Sequence, residues 1–125
     1  MLSIFYIALG GSIGALSRYL ISTAIVTGPK GILLCNLLGC FLIGIFFSII
    51  NSKLDLTKDI VNFTTIGFLG SFTTFSTFSL NVYQLYLEKQ FIFLIFYFST
   101  SIFGGVIFLL IGIILADFIA NNYGL

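Results

Sequence analysis

The chain has 125 residues, of which 59% are hydrophobic and 7% are charged, with a formal net charge of +1. Soluble proteins carry about 25% charged residues, so five basic and four acidic residues cannot provide the polar surface of a soluble globule. The 16 Phe exclude intrinsic disorder, the 2 Cys exclude a disulfide scaffold, and the near-neutral charge offers no basic surface to nucleic acid.

Four continuous apolar segments, separated by charged or turn residues, predict a chain that crosses the membrane four times. They cover residues 3–26, 31–50, 60–87 and 91–120. About 20 residues of α-helix span a bilayer. The runs show no alternation with a period of two, which excludes membrane strands. The sequence therefore predicts an all-α membrane protein with a single four-span domain over residues 1–125.

The first segment, residues 3–26, is expected to be a retained span rather than a cleaved signal peptide. It lacks a basic start, its apolar stretch is too long, and no small-residue cleavage site follows it. Arg18 lies within this segment, where a charge at mid-bilayer costs at least about 2.5 kcal/mol. Two interpretations are open: the side chain snorkels towards Thr27, or it attracts anions to a pore mouth.

Small residues on three of the segments allow helices to approach closely. They are Gly10, Gly11, Gly14, Ala15, Gly39, Gly44, Gly104, Gly105 and Gly112. Gly10 and Gly14 form a GxxxG pair. Such residues serve packing within one four-helix bundle and association of two chains equally well, so both interpretations stay open.

The second segment carries an amide, Asn36, about six residues from its start. This side chain either forms an interhelical hydrogen bond, of about 0.6–2 kcal/mol, or presents N–H donors to an anion. By itself the sequence favours the interhelical hydrogen bond.

Glycines followed by hydroxyl side chains mark the middle of the third segment. Five of the seven residues from Thr73 to Ser79 carry hydroxyls, and Gly67 and Gly70 precede them. Glycine weakens a helix by about 1 kcal/mol relative to alanine, and transporters use unwound backbone at mid-membrane to coordinate ions. The pattern predicts a helix that is broken at mid-membrane, with freed carbonyl groups suited to a cation.

Aromatic and polar side chains on the third and fourth segments suggest an anion path. Phe75 and Phe78 are three residues apart and share a helix face. The electropositive edge of an aromatic ring can contact a small anion, although aromatic stripes also serve packing. On the fourth segment Tyr97, Ser101 and Gly105 follow one another at intervals of four. They either line the same path or pack against a neighbour.

Basic residues in the connections do not select one orientation in the membrane. Lys53 and Lys58 lie on one side, and Lys30 and Lys89 lie on the other. Either the chain is weakly biased and is oriented by its partners, or it inserts in both directions and pairs with an inverted copy of itself.

Three motifs together resemble those of the Fluc/CrcB fluoride channels. They read GGSIGALSRY over residues 10–19, NLLGCF over 36–41 and GFLGSFTTFSTFS over 67–79. The resemblance extends over essentially all four segments in order. It implies a channel that exports fluoride passively across the cytoplasmic membrane and reduces fluoride toxicity. It also implies an antiparallel, dual-topology homodimer with two pores, whose partners are fluoride, membrane lipid and its own second copy.

The resemblance also implies roles for individual residues. The anion path would contain Asn36, Phe75, Ser76, Thr77, Phe78, Tyr97 and Ser101. Arg18 corresponds to the basic residue of the first motif and would attract anions. A structural sodium ion at the dimer interface would be held by the backbone carbonyls of Gly70 and Thr73. The chain departs from the family's pattern at Ser71, often a glycine, Asn81, commonly an acidic residue, and Gly105, which can be a serine.

The main alternative is a small multidrug or guanidinium-type proton-coupled exporter, which also has four spans and dual topology. Such exporters need a carboxylate within the membrane, whereas the first segment carries Arg18 and no acidic residue. A non-transporting assembly factor would not explain Asn36, the hydroxyls and the helix break together. The chain has no His and no acid–base pair within the spans, so we expect no enzymatic activity.

If the chain inserts in both orientations, a reporter fused to its C-terminus will be found on both sides of the membrane in comparable amounts. The reason is the balance of basic residues between the two sides. Paired fusions to a periplasmic phosphatase and to a cytoplasmic fluorescent protein measure the two populations. Two lysines added to the 51–59 connection should shift insertion towards one orientation. A single orientation of the unmodified chain would reject dual topology.

Overall fold

A computed structural model describes residues 2–52 and 56–123 of the chain, and outside the connections these residues are helical. The helices are α1 (Leu2–Ile25), α2 (Pro29–Asn51), α3 (residues 58–72), α4 (Phe75–Leu87) and α5 (residues 91–123). In the described part of the chain, α1, α2 and α5 are long and apolar enough to cross a membrane. Helices α3 and α4 are the two halves of the predicted third segment. The prediction of an all-helical, multi-pass membrane protein is confirmed.

Three of these helices contain a π-helical stretch. The stretches are Ile21–Ile25 at the end of α1, Asn62–Leu69 within α3 and Thr100–Gly104 within α5. The flanking α-helical parts are Leu2–Leu20, Lys58–Val61, Gly70–Phe72, Phe91–Ser99 and Gly105–Tyr123. Such stretches often accompany functional sites. Here Asn62–Leu69 lies shortly before the helix break, and Thr100–Gly104 contains Ser101.

The predicted helix break lies at Thr73 and Thr74, near the middle of the third segment. Thr73 has φ −84° and ψ 155°, and Thr74 has φ −150° and ψ 123°. Both residues are therefore extended, and α4 starts anew at Phe75. The interruption follows Gly70, as the sequence pattern predicts.

Glycines bring the helices together in two pairs, α1 with α3 and α2 with α5. Gly10 and Gly14 of α1 lie directly against the backbone of α3. Gly44 of α2 and Gly112 of α5 lie against the backbone of each other's helix. A Cβ atom at any of these four positions would overlap a carbonyl oxygen of the neighbouring helix. The GxxxG pair thus serves packing within the chain.

The acidic residue in the fourth segment, Asp117, is paired. Its carboxylate accepts a hydrogen bond from the hydroxyl of Ser48, which is buried on α2. Ser3 at the start of α1 likewise donates to Asp59 of α3, with 2.7 Å between the oxygens. Each of these two bonds joins one helix pair near one end. The bonds are favourable because polar groups in an apolar environment need partners.

The outer surface of the described helices is apolar. Ile92 is 90% exposed and Ile4 is 72% exposed. Lipid chains solvate such side chains as well as a protein core does, so the helices need close backbone contact rather than apolar burial to associate.

Gly112→Ala should destabilise the protein by about 1–3 kcal/mol, the usual effect of overpacking, because the added Cβ would overlap the carbonyl oxygen of Phe41. Gly105→Ala is the matched control, since its Cβ would meet only the Cys40 sulfur at an ordinary 3.4 Å. The control should be neutral or stabilising because alanine favours the helix. Unfolding by titration with denaturing detergent measures both variants, and equal effects would argue against backbone contact at Gly112.

Candidate functional site

The side chain of Asn36 pairs with the backbone of the helix break. Its Nδ2 donates to the carbonyl oxygen of Thr74 at 3.2 Å, and its Oδ1 accepts from the Thr74 amide at 2.8 Å. The break leaves the Thr74 amide without a helical acceptor, whereas the carbonyl of Thr74, as the N-cap of α4, also accepts the first hydrogen bond of that helix. One amide side chain on α2 therefore bonds both backbone groups of Thr74 and pairs the amide that the break leaves without a helical partner. The interhelical hydrogen bond that the sequence favours is confirmed and is double.

The pairing of Thr74 leaves two carbonyl groups without their helical donors. In a continuous helix the Thr74 amide would donate to Gly70, but here it donates to Asn36. The Thr77 amide would donate to Thr73, but it donates to the Thr74 hydroxyl at 3.2 Å and so caps α4. The carbonyl groups of Gly70 and Thr73 are the two that the sequence analysis assigned to a cation.

Arg18 contacts the end of α3. Its Nε donates to the carbonyl oxygen of Ser71 at 3.1 Å, and Ser71 lies in the last turn of that helix. A cation at a helix C-terminus is stabilised by unpaired carbonyls and by the helix dipole. The sequence alone indicated no partner for Arg18 within the chain. Predicted helix ends offer the missing signal, since each leaves carbonyl groups unpaired.

A cleft of about 330 Å³ opens beside the helix break. It is lined by Asn36, Gly39, Cys40, Ile43, Leu69, Gly70, Thr73, Thr74, Phe75, Phe78, Ser101 and Ile102. None of these residues is charged. Six of the residues that the sequence analysis selected meet here, namely Asn36, Gly70, Thr73, Phe75, Phe78 and Ser101. The remaining four, Arg18, Ser76, Thr77 and Tyr97, lie outside the lining.

The two selected phenylalanines differ in their surroundings. Their ring centroids are 5.5 Å apart, as expected for neighbours on one helix face. Phe78 is 4% exposed and packs into a cluster with Leu85 and Tyr97, whereas Phe75 is 73% exposed in the single chain. The cleft is therefore bounded by the buried ring of Phe78 and by the exposed ring of Phe75.

The hydroxyl groups of this region divide into two sets. Thr74 Oγ1 lies 3.2 Å from Ser76 Oγ and donates to Thr77 Oγ1 at 3.1 Å, so these three hydroxyls bond with one another at the start of α4. The Oγ of Ser101 is different, because it is buried and has no partner among the described residues. Ser101 thus lines the cleft and carries a hydroxyl that no other described residue pairs.

Tyr97 lies behind Phe78 rather than in the cleft wall. It is 0% exposed, and its ring centroid lies 5.5 Å from that of Phe78. Its phenolic oxygen accepts a hydrogen bond from Nδ2 of Asn81 at 3.0 Å. The sequence analysis assigned no role to Asn81 or Thr74. Asn81 is three residues beyond Phe78 and hence on the same helix face, which is the signal that could have identified it.

Comparison with known proteins gives a consistent result. The family model described as "CrcB-like protein, Camphor Resistance (CrcB)" matches residues 5–113. The chain is 38% identical to "Fluoride-specific ion channel FluC 1" of Bacillus cereus (strain ATCC 10987 / NRS 248), covering 98% of this chain and 95% of the relative. It is 38% identical to "Fluoride-specific ion channel FluC" of Azobacteroides pseudotrichonymphae, with coverages of 92% and 96%. The protein of the same name from Flavobacterium psychrophilum is 36% identical, with coverages of 93% and 98%.

Asn36→Leu should lower the free energy of unfolding by about 1–3 kcal/mol, because it leaves the amide of Thr74 unpaired at the helix break. Asn51→Leu is the matched control. The Asn51 amide is exposed and donates to Phe47 of its own helix, so its loss should change stability by less than about 1 kcal/mol. Detergent-induced unfolding measures the difference. Equal destabilisation by the two variants would contradict the role assigned to Asn36.

Proposed function

The chain belongs to the CrcB family, and on this premise we propose that it is a fluoride-specific ion channel. It is not an enzyme, and it conducts fluoride passively across the cytoplasmic membrane, which reduces fluoride toxicity in the cell. The identity of the ion comes from the relatives that are named fluoride-specific channels. The observation that carries the proposal at the level of geometry is the uncharged cleft beside the helix break, where an amide, a free hydroxyl and two phenylalanines meet.

Selectivity for fluoride follows from the donors along this path. Fluoride is small and strongly hydrated, so a pore must replace the lost water with N–H and O–H groups. The Asn36 amide has two N–H groups; one donates to Thr74, and the other is available to the ion. The Ser101 hydroxyl is a second donor. Chloride is larger and would fit a narrow path of this kind poorly.

Weak contacts allow the ion to leave as well as to enter. The ring edges of Phe75 and Phe78 are electropositive but carry no full charge. Ser76, Thr77 and Tyr97 would continue the path beyond the cleft. The hydroxyls of Ser76 and Thr77 lie next to the lining residue Thr74, and the ring of Tyr97 packs against the lining residue Phe78.

Arg18 raises the local concentration of anions without lying in the narrowest part of the path. Its guanidinium is held at the end of α3 by Ser71, close to the broken segment but outside the cleft lining. A fixed cation in low dielectric attracts anions over several ångströms.

The channel works as an antiparallel homodimer with two pores. Three observations support this arrangement: the balanced basic residues on the two sides, the small size of a single bundle, and the uncovered ring of Phe75 at the cleft. A second, inverted copy would cover this ring and complete the wall of each path.

The same arrangement suits a structural sodium ion on the two-fold axis. The carbonyl groups of Gly70 and Thr73 lack their helical donors, and hard oxygen ligands suit a hard cation. Two inverted copies would contribute both carbonyls twice. When bound, the ion would hold the two breaks together and add positive potential between the pores. An experimental density map of the dimer tests this assignment, and water between these carbonyls would count against it.

The alternative, a proton-coupled exporter of guanidinium or drugs, is not favoured. The relatives are named as fluoride channels, and α1 carries Arg18 where such an exporter needs a carboxylate.

Purified protein in liposomes should release fluoride passively when a potassium ionophore dissipates the voltage. Phe78→Ile removes a ring edge, and Asn36→Asp places a negative charge in the anion path. Each should slow the initial efflux by about tenfold or more, which corresponds to about 1.4 kcal/mol. A fluoride electrode measures the rate.

Phe118→Ile is the matched control, because Phe118 is 66% exposed and does not line the cleft. It should leave the efflux unchanged. Proton-driven guanidinium transport, or well-folded protein that releases no fluoride, would reject the channel assignment.

A further inference from the structure

Asn81 is a buried amide that no part of the proposed path uses. It is 7% exposed and lies on α4, one turn beyond Phe78. Its Nδ2 donates to the phenolic oxygen of Tyr97 on α5, with 3.0 Å between the two atoms. Buried polar side chains of this kind are retained where the hydrogen bond fixes a specific arrangement. The arrangement here includes the ring of Phe78 in the cleft wall.

Tyr97 links the other two side chains, because it contacts both Phe78 and Asn81. The ring of Tyr97 lies 5.5 Å from that of Phe78 with an interplanar angle of 33°. Asn81 and Phe78 lie on the same helix, and Asn81 bonds the far end of the tyrosine. Tyr97 is therefore held from two sides, by ring packing and by the amide, so its position depends on both.

The direction of the Asn81 hydrogen bond determines whether the phenolic hydrogen of Tyr97 remains available to another acceptor. A phenol can donate one hydrogen and can accept through its oxygen. Here the oxygen accepts from the amide, and no described residue accepts the phenolic hydrogen. An unpaired hydroxyl hydrogen in an apolar interior is unfavourable unless an acceptor arrives. A permeating anion is such an acceptor.

We propose that Asn81 is a positioning residue that keeps Tyr97 oriented as a hydrogen-bond donor to fluoride. This inference rests on the proposed channel function and extends it to a residue outside the cleft. A carboxylate at this position would reverse the bond, because it can only accept when ionised and would occupy the phenolic hydrogen. The amide of this chain leaves that hydrogen available.

A double-mutant cycle on fluoride efflux tests whether Asn81 acts through Tyr97. Asn81→Leu removes the donor at nearly constant volume, and Tyr97→Phe removes the hydroxyl alone. Each single variant should slow efflux by about five- to tenfold, the effect of one lost polar contact. The double variant should be no slower than either single one. Asn51→Leu, which removes an exposed amide of α2, should leave the rate unchanged.

A second pair of variants keeps the test decisive if Asn81→Leu folds poorly. Asn81→Asp has the same size and reverses the hydrogen bond. Its charge is present whether or not position 97 carries a hydroxyl. The loss of efflux caused by Asn81→Asp should therefore be larger with Tyr97 than in the Tyr97→Phe background. Gel filtration establishes that each variant elutes like the unmodified protein.

The outcomes separate the two levels of the proposal. Losses that multiply in the double variant, equal losses from Asn81→Asp in both backgrounds, or an unchanged rate in Asn81→Leu would overturn the role of Asn81 and leave the channel function standing. An unmodified protein without fluoride efflux would overturn the channel function itself, and this inference with it.

Discussion

The structure depends on one constraint, which is that backbone polar groups inside a membrane must be paired. The third segment violates helical pairing at Thr73 and Thr74. Asn36 compensates with two hydrogen bonds to Thr74, and the Thr74 hydroxyl caps α4 by accepting from Thr77. Arg18 donates a hydrogen bond to the carbonyl oxygen of Ser71 at the end of α3. The break is therefore a defined structure rather than a local weakness of the helix.

Close helix packing puts these partners within reach. Helix α1 contacts the backbone of α3 through Gly10 and Gly14, and this contact brings Arg18 to Ser71. Gly39 of α2 faces the side chain of Thr73. Gly39 lies three residues beyond Asn36, whose side chain bonds Thr74. Larger residues at these glycines would separate the helices and leave the break unpaired, so packing and polar pairing support each other.

Polar groups near the break divide into those that maintain it and those that remain available. The hydroxyls of Thr74, Ser76 and Thr77 bond with one another. The hydroxyl of Ser101 has no described partner, and the amide of Asn36 keeps one N–H beyond its bond to Thr74. A run of hydroxyls in a sequence thus does not by itself mark a conduction path, because a broken helix uses several of them for its own pairing.

The sequence by itself determined the features that depend on local composition. Apolar length and charged connections sufficed to predict an all-helical, multi-pass membrane protein, because lipid permits little else at that length. Glycines followed by hydroxyls sufficed for the break near Gly70. Only the tertiary structure decided which groups meet. The partners of Asn36, Arg18 and Asn81 lie 38, 53 and 16 residues away along the chain. Such pairs follow from the relative placement of helices, which no local pattern encodes.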